Sequence, residues 1–290
     1  MTVSSVLMVL CAAILHASWN LIAKRSAKVG PVFVFVYSGF ACLFYAPWVF
    51  WVMADGTFTW SALGLAVMVA SGVIHLGYNL CLQQGYAKAD LSVVYPVARG
   101  TGPLLSVLGA FLLLGEQPTA GGVAGMLCVV AGIFLIATQG RLAVFTRPGG
   151  KTGLLWGLAT GSLIACYTVT DASAVKLLGI APVMLDWVCN LMRVGLLAPA
   201  VLRHPDHMRA RMQGHWGRAA LIGLFSPLAY ILVLTAISQG APLSHVAPLR
   251  ESSMMVGALL GMVLLKEPVG AGRLAGCAIL VAGVILLSGL

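Results

Sequence analysis

Long apolar runs alternate with short breaks of Gly, Pro and charge along the whole chain. Ten runs stand out, at about residues 4–23, 31–53, 60–82, 91–114, 119–138, 152–175, 181–202, 218–238, 243–265 and 268–288. Each is close to the roughly 20 apolar residues that a helix needs to cross a hydrocarbon core. Lipid offers the backbone no water to bond, so a crossing must be a helix or a closed barrel. A barrel needs alternating segments of roughly 10 residues, a pattern that is missing here. The expected fold is an all-α integral membrane protein with ten transmembrane helices.

The two halves of the pattern match. Gln84-Gly85, Leu91-Ser92 and Pro96 recur as Gln239-Gly240, Leu243-Ser244 and Pro248. Gly109, Glu116, Gly121, Gly125 and Gly132 recur as Gly261, Glu267, Gly272, Gly276 and Gly283. The offset is 152 from Leu91 to Gly109 and 151 from Glu116 onward. This predicts a five-helix repeat over 1–140, a basic linker over 141–151 and a second repeat over 152–290. Five is odd, so the second copy enters the membrane from the opposite side. Inverted repeats of this kind place a substrate at their interface in many secondary transporters.

Composition agrees with the pattern. Hydrophobic residues make up 60% of the chain and charged residues 9%. An ordinary soluble domain carries about 25% charged residues, and a disordered chain is polar, so both classes are excluded. Lys and Arg number 17 against 8 Asp and Glu, but the excess sits in loops. Lys24, Arg25, Lys28, Lys88, Arg141, Arg147, Lys151, Arg203, Arg209, Arg211, Arg218 and Lys266 fall on one side, and Lys176 alone on the other. By the positive-inside rule the basic side is cytoplasmic and both termini are outside. No basic patch with interleaved aromatics suggests nucleic acid. The N-terminus lacks a basic stretch before its first apolar run, which fits a first spanning helix better than a cleaved leader. The seven cysteines are scattered through apolar segments, without the clustered spacing of disulfide or zinc frameworks.

Polar residues inside the spans are the candidate chemistry, because they are costly in lipid and mark pathways. His16, Trp19 and Asn20 share one face of span one, and His75, Tyr78 and Asn79 repeat that spacing in span three. These stripes read either as cavity lining or as interhelical hydrogen bonds. In span four, Tyr95 and Arg99 flank the helix breaker Pro96. The equivalent of Arg99 is Glu251, preceded by Pro248 and Arg250. Arg99 reads as a binding or gating group, or else as half of an internal ion pair. On a continuous helix Arg250 and Glu251 diverge by about 100°, which favours Glu251 as the one facing substrate. Asp171 is a candidate coupling carboxylate or an arginine partner. Arg193 needs a partner from another helix, and Asp186 reads as interfacial. Arg273 is expected to snorkel toward the cytoplasmic interface.

Tyr230 and His245 are weaker, single-residue binding candidates. Glu116 and Glu267 read as helix-boundary caps. The loop 203–216, with His204, Asp206, His207 and His215, reads as solvated loop rather than a metal site. Gly121/Gly125, Gly153/Gly157/Gly161, Gly257/Gly261 and Gly272/Gly276 are expected to let helices approach closely.

The ten spans, the duplication, and Ser92-Val93-Val94-Tyr95-Pro96 leading to Gly115-Glu116 resemble the drug/metabolite transporter superfamily, in its ten-helix EamA-type branch. Leu15-His16-Ala17-Ser18-Trp19-Asn20 is similar to the first helix of that branch. The resemblance covers essentially the whole chain. It implies transport of a small metabolite by alternating access, from a cavity between the repeats. The small four-helix relatives use a glutamate in their first helix for proton and drug. Span one here has no acid, so that mechanism does not carry over.

The expected activity is therefore secondary transport of a small solute across the plasma membrane, as a monomer or homodimer. An amino acid or other zwitterion is favoured by the mixed charges, with export the preferred direction. A coupling ion such as H+ is a possible partner, and no cofactor or metal is expected. No P-loop, H-E-x-x-H or G-x-S-x-G motif is present. The alternatives are a membrane-embedded enzyme acting on a lipid or lipid-linked substrate, for which no clustered acids or nucleophile are seen, and a passive channel.

Overall fold

The computed structural model describes residues 1–26, 29–56, 59–89, 91–138, 149–257 and 270–288. Described secondary structure is helical throughout: α1 Val3–Lys24, α2 Pro31–Ala54, α3 Ala62–Lys88, α4 Leu91–Leu113, α5 Ala120–Thr138, α6 Gly150–Leu177, α7 Pro182–Leu202, α8 Pro205–Met212, α9 Trp216–Ser238, α10 Leu243–Arg250 and α11 Ala271–Ser288. Eight of these are long and apolar enough to cross a membrane, and Leu274–Ser288 is a shorter apolar helix.

Two expectations are corrected. The loop 203–216 contains α8, eight residues long, opened by Pro205 at its first position, where proline's fixed φ suits a helix start. Span nine is not one unbroken helix. It stops at Arg250, passes through a turn at Glu251-Ser252 and resumes at 253–257. Ser252 N–H returns to Leu249 O and Glu251 N–H to Pro248 O, the tighter bonding of a terminating turn. In contrast, α4 runs continuously through Pro96 and Pro103. Ten uninterrupted spans are therefore not what the chain forms. The expectations for Glu267, Gly261 and the side chain of Arg273 lie outside the described residues.

The repeats interlock rather than sit side by side. α4 packs on α6, α3 on α6, α1 on α9 and α2 on α7. The glycine spacings explain the closest crossings. Gly153, Gly157 and Gly161 of α6 lie against α4, where a Cβ at Gly157 would stand 2.6 Å from Val97 Cβ. α5 and α11 meet through repeat-equivalent glycines: a Cβ at Gly132 would lie 2.8 Å from Gly276 O, and one at Gly283 would lie 2.7 Å from Gly125 O. These small-residue contacts are within the chain, and they let backbones approach closely in the absence of a hydrophobic drive between lipid-embedded helices.

The outward faces carry large apolar side chains, among them Leu7, Leu43, Phe50, Trp51, Leu112 and Leu155. A soluble monomer rarely exposes so much apolar surface, whereas lipid accepts it. The main core lies inside, built from Val9, Val49, Met68, Met184, Leu185, Leu234 and Leu243 among others.

Candidate functional site

A cavity of about 270 Å³ lies between the repeats, walled by α1, α2, α3, α4, α6, α7, α9 and α10. His16, Trp19 and Asn20 line it from α1, and His75, Tyr78 and Asn79 from α3. The two stripes have the same local geometry. Asn20 Nδ2 donates to His16 O at 2.7 Å, and Asn79 Nδ2 donates to His75 O at 2.8 Å. Helical i, i+4 spacing brings each amide back onto the preceding turn. Trp19 packs edge-on against His16, and its buried indole N–H has no acceptor among the described residues.

The lining climbs α3 from His75 through Leu82 to Tyr86, and α1 from Ala12 to Asn20, toward the ends that carry Lys88 and Lys24. On α4 it takes only Tyr95, Ala98 and Arg99, near the start of the helix. The cavity thus extends toward the side of the basic loops.

At the other side the helices are tied together. Glu116 follows α4, and its Oε1 accepts from Lys176 Nζ of α6 and from Leu243 N, each at 2.7 Å. Its Oε2 accepts from Ser244 N at 2.9 Å and Ser244 Oγ at 2.7 Å. One carboxylate of the first repeat thereby caps α10 of the second, where orphan N–H groups and the helix dipole favour negative charge. Burial by itself would raise the Glu116 carboxyl, but these hydrogen bonds outweigh it and hold the pKa below its ordinary value.

Arg99 forms an ion pair with Glu251, Nη2 to Oε2 at 2.6 Å, and reaches Ser253 Oγ at 3.3 Å. Glu251 is only 1% exposed and does not line the cavity. Of the two neighbours Arg250 lines the cavity, while Glu251, favoured by sequence, does not. Arg250 Nε lies 3.7 Å from Glu251 Oε1. The two neighbours diverge as expected, and only one of them reaches the cavity.

Asp171 is fully buried beside the cavity and outside its lining. Tyr230 Oη donates to its Oδ2, and His75 Nε2 lies 4.0 Å from the same oxygen. His75 stacks on Tyr167 at 4.0 Å between centroids, and its Nδ1 lies 3.0 Å from Ser71 O.

Asp186 was expected at the interface, but it lines the cavity from α7 with Asn190 and Arg193. Asn190 Nδ2 donates to Asp186 Oδ2 at 2.9 Å. Arg193 donates to Asn190 Oδ1 at 3.1 Å and, across to α2, to Ser38 Oγ at 3.4 Å. Sequence reasoning missed Asn190, Tyr37, Tyr86, Tyr167 and Ser226, which also line the cavity. The spacing of Asp186, Asn190 and Arg193, i, i+4 and i+7 on one face, was a usable signal for Asn190. His245 lies elsewhere, its Nδ1 2.8 Å from Leu287 O of α11. Among the described residues no three His, Cys, Asp or Glu side chains converge as metal ligands would.

Comparison with known proteins agrees with this architecture. The family model of the EamA-like transporters matches twice, over residues 3–138 and 151–289, one match per repeat. No curated protein matches the chain significantly. One solved crystal structure superposes with a TM-score of 0.75 at 19% identity, covering 99% of this chain and 96% of its own. That similarity shows the fold alone. With both repeats matched across nearly the whole sequence, the chain belongs to the EamA-like transporter family of the drug/metabolite transporter superfamily.

Proposed function

We propose that the chain is a secondary transporter that exports a small zwitterionic metabolite, of amino-acid character, by alternating access. The observation that carries this reading is the central cavity. It is walled by both repeats, holds Arg99, Arg193 and Arg250 together with Asp186, and is lined by Tyr, Trp and His rings. A cavity of this size suits a solute of a few to a dozen heavy atoms, below the span usual for drug-sized ligands.

The orientation in this reading rests on charge. Basic loops face the cytoplasm in multi-pass proteins, which puts both termini outside the plasma membrane. The cavity extends toward the basic side, and the Glu116 ties lie at the opposite one. A cytoplasmic solute would load from this conformation.

Asp171 is the favoured coupling group. It is an intramembrane carboxylate, held by Tyr230 and faced by His75. Such groups serve as proton relays in pumps and transporters. Arg99, Glu251 and Arg193 would then position helices or gate the cavity.

The test is counterflow in proteoliposomes. Vesicles preloaded with one unlabelled amino acid at a time should accelerate entry of the same labelled compound. Asp171→Asn should retain this exchange but lose uptake driven by a pH gradient. Wild-type vesicles that exchange nothing from an amino-acid panel, or a flux that never saturates, would overturn the reading.

A further inference from the structure

We propose that Arg250 is the anchor for a carboxylate of the transported solute; this rests on the transporter reading above and names the group that the cavity recognises. Arg250 is the last residue of α10, lines the cavity and is 6% exposed. Its Nε has no hydrogen-bond partner among the described residues. The nearest carboxylate oxygen is Glu251 Oε1 at 3.7 Å, too far for a hydrogen bond. Glu251 is committed to Arg99 at 2.6 Å.

The two other acids nearby are also occupied. Asp171 is held by Tyr230, and Asp186 by Asn190 on the helix turn below Arg193. Two guanidiniums therefore share one carboxylate unequally, and Arg250, the one held at the longer distance, lines the cavity. A cation at membrane depth is costly unless it is paired. A guanidinium offers a planar fork of donors that fits a carboxylate in bidentate fashion. The rings of Tyr167 and Tyr230, which line the same cavity, offer surface for the apolar body of the solute. The geometry is that of a site that reads a carboxylate first and its substituent second.

The experiment compares each carboxylic acid with its primary amide, which keeps shape but loses the charge. The panel is the proteinogenic amino acids plus propionate, butyrate and benzoate. Thermal unfolding and equilibrium binding are measured on the purified full-length chain, wild type, Arg250→Lys and Arg250→Gln. At least one acid should stabilise wild type while its amide binds about tenfold or more weakly, the scale of one lost charge-assisted hydrogen bond. Arg250→Gln should lose the discrimination between acid and amide, and Arg250→Lys should retain part of it. Should Arg250→Gln fail to fold, the acid–amide ratio on wild type and Arg250→Lys still decides.

Equal binding of acid and amide to wild type, an unchanged Kd in Arg250→Gln, or no binding by any carboxylate overturns the anchor. A carboxylate that binds through Arg250 but shows no counterflow leaves the anchor standing and removes the transport reading. Counterflow of a compound indifferent to Arg250 does the reverse.

Discussion

Arg99 and Glu251 occupy equivalent positions of the two repeats, 152 residues apart, and they meet each other at 2.6 Å. Two equivalent positions that touch must lie close to the axis relating the repeats. The duplication thus brought two copies of one site face to face, and the copies now carry opposite charges. Arg99 is 12% exposed at its side chain and Glu251 1%, so water does little to compensate either one. The end of α10 at Arg250 and the turn at Glu251-Ser252 place the acid at this point.

Breaking that pair from one side should cost more than removing it. Glu251→Gln leaves the Arg99 guanidinium buried without its counter-charge, a change worth about 3–5 kcal/mol in buried pairs. Thermal unfolding in detergent should show a marked loss for Glu251→Gln and for Arg99→Ala alone. The double variant Arg99→Ala/Glu251→Gln should lose less than the sum of the singles. Strict additivity would show that the two side chains do not depend on each other.

Removal of the Glu116 carboxylate should loosen the side away from the basic loops. Glu116→Gln keeps size but weakens the contacts to Lys176, Leu243 and Ser244. A lost helix cap typically costs about 0.5–2 kcal/mol. The pH dependence has a definite sign. The folded pKa is depressed, so this stability is present above the ordinary value of 4.5 and is lost as pH falls through the folded value. Wild type and Glu116→Gln should therefore differ most at neutral pH and converge as pH drops below about 4.5. A gap that widens on acidification would contradict the assignment.

Glycine substitutions should separate by what a Cβ meets. Gly132→Ala would place its Cβ 2.8 Å from Gly276 O, a backbone atom that cannot rotate away. Overpacking of this kind costs about 1–3 kcal/mol. Gly39→Ala, with nothing within 4 Å, should be neutral or gain up to about 1 kcal/mol from helix propensity. Melting temperatures of the two variants, measured in one detergent, should order them as wild type or above for Gly39→Ala and well below for Gly132→Ala.

Access to the cavity should be one-sided. Asn20 and Tyr86 line it and are exposed. Cysteines placed there, in a background lacking Cys11 and Cys166, should react with an impermeant maleimide in inverted membrane vesicles. They should react slowly or not at all in intact cells stripped of their outer barrier. Equal labelling from both sides would point to an open channel, and labelling only from outside would reverse the proposed orientation.

Much of the molecule follows from sequence alone. Apolar runs of spanning length force helices, because lipid cannot satisfy an open backbone. The offset of 152 residues made the two-repeat architecture legible. The stripes His16-Trp19-Asn20 and His75-Tyr78-Asn79 were legible because helical periodicity puts each set on one face. Periodicity also marks where crowding is tolerated, as at Gly153, Gly157 and Gly161. It does not say which faces meet.

Tertiary structure decided that. Only the packing of α4 against the second repeat shows that Arg99 pairs with its own counterpart. Only the packed structure shows that Arg250 and not Glu251 lines the cavity, since the angular rule separates the neighbours without saying which one faces inward. Asp186 moved from interface to cavity because α7 presents its polar face inward. Glu116, read as a cap of its own helix boundary, caps a helix 127 residues further on. Sequence pattern governs what lies within one turn or one strip of helix. Contacts between strips depend on the close approach of whole backbones, and that is fixed only when all the helices pack at once.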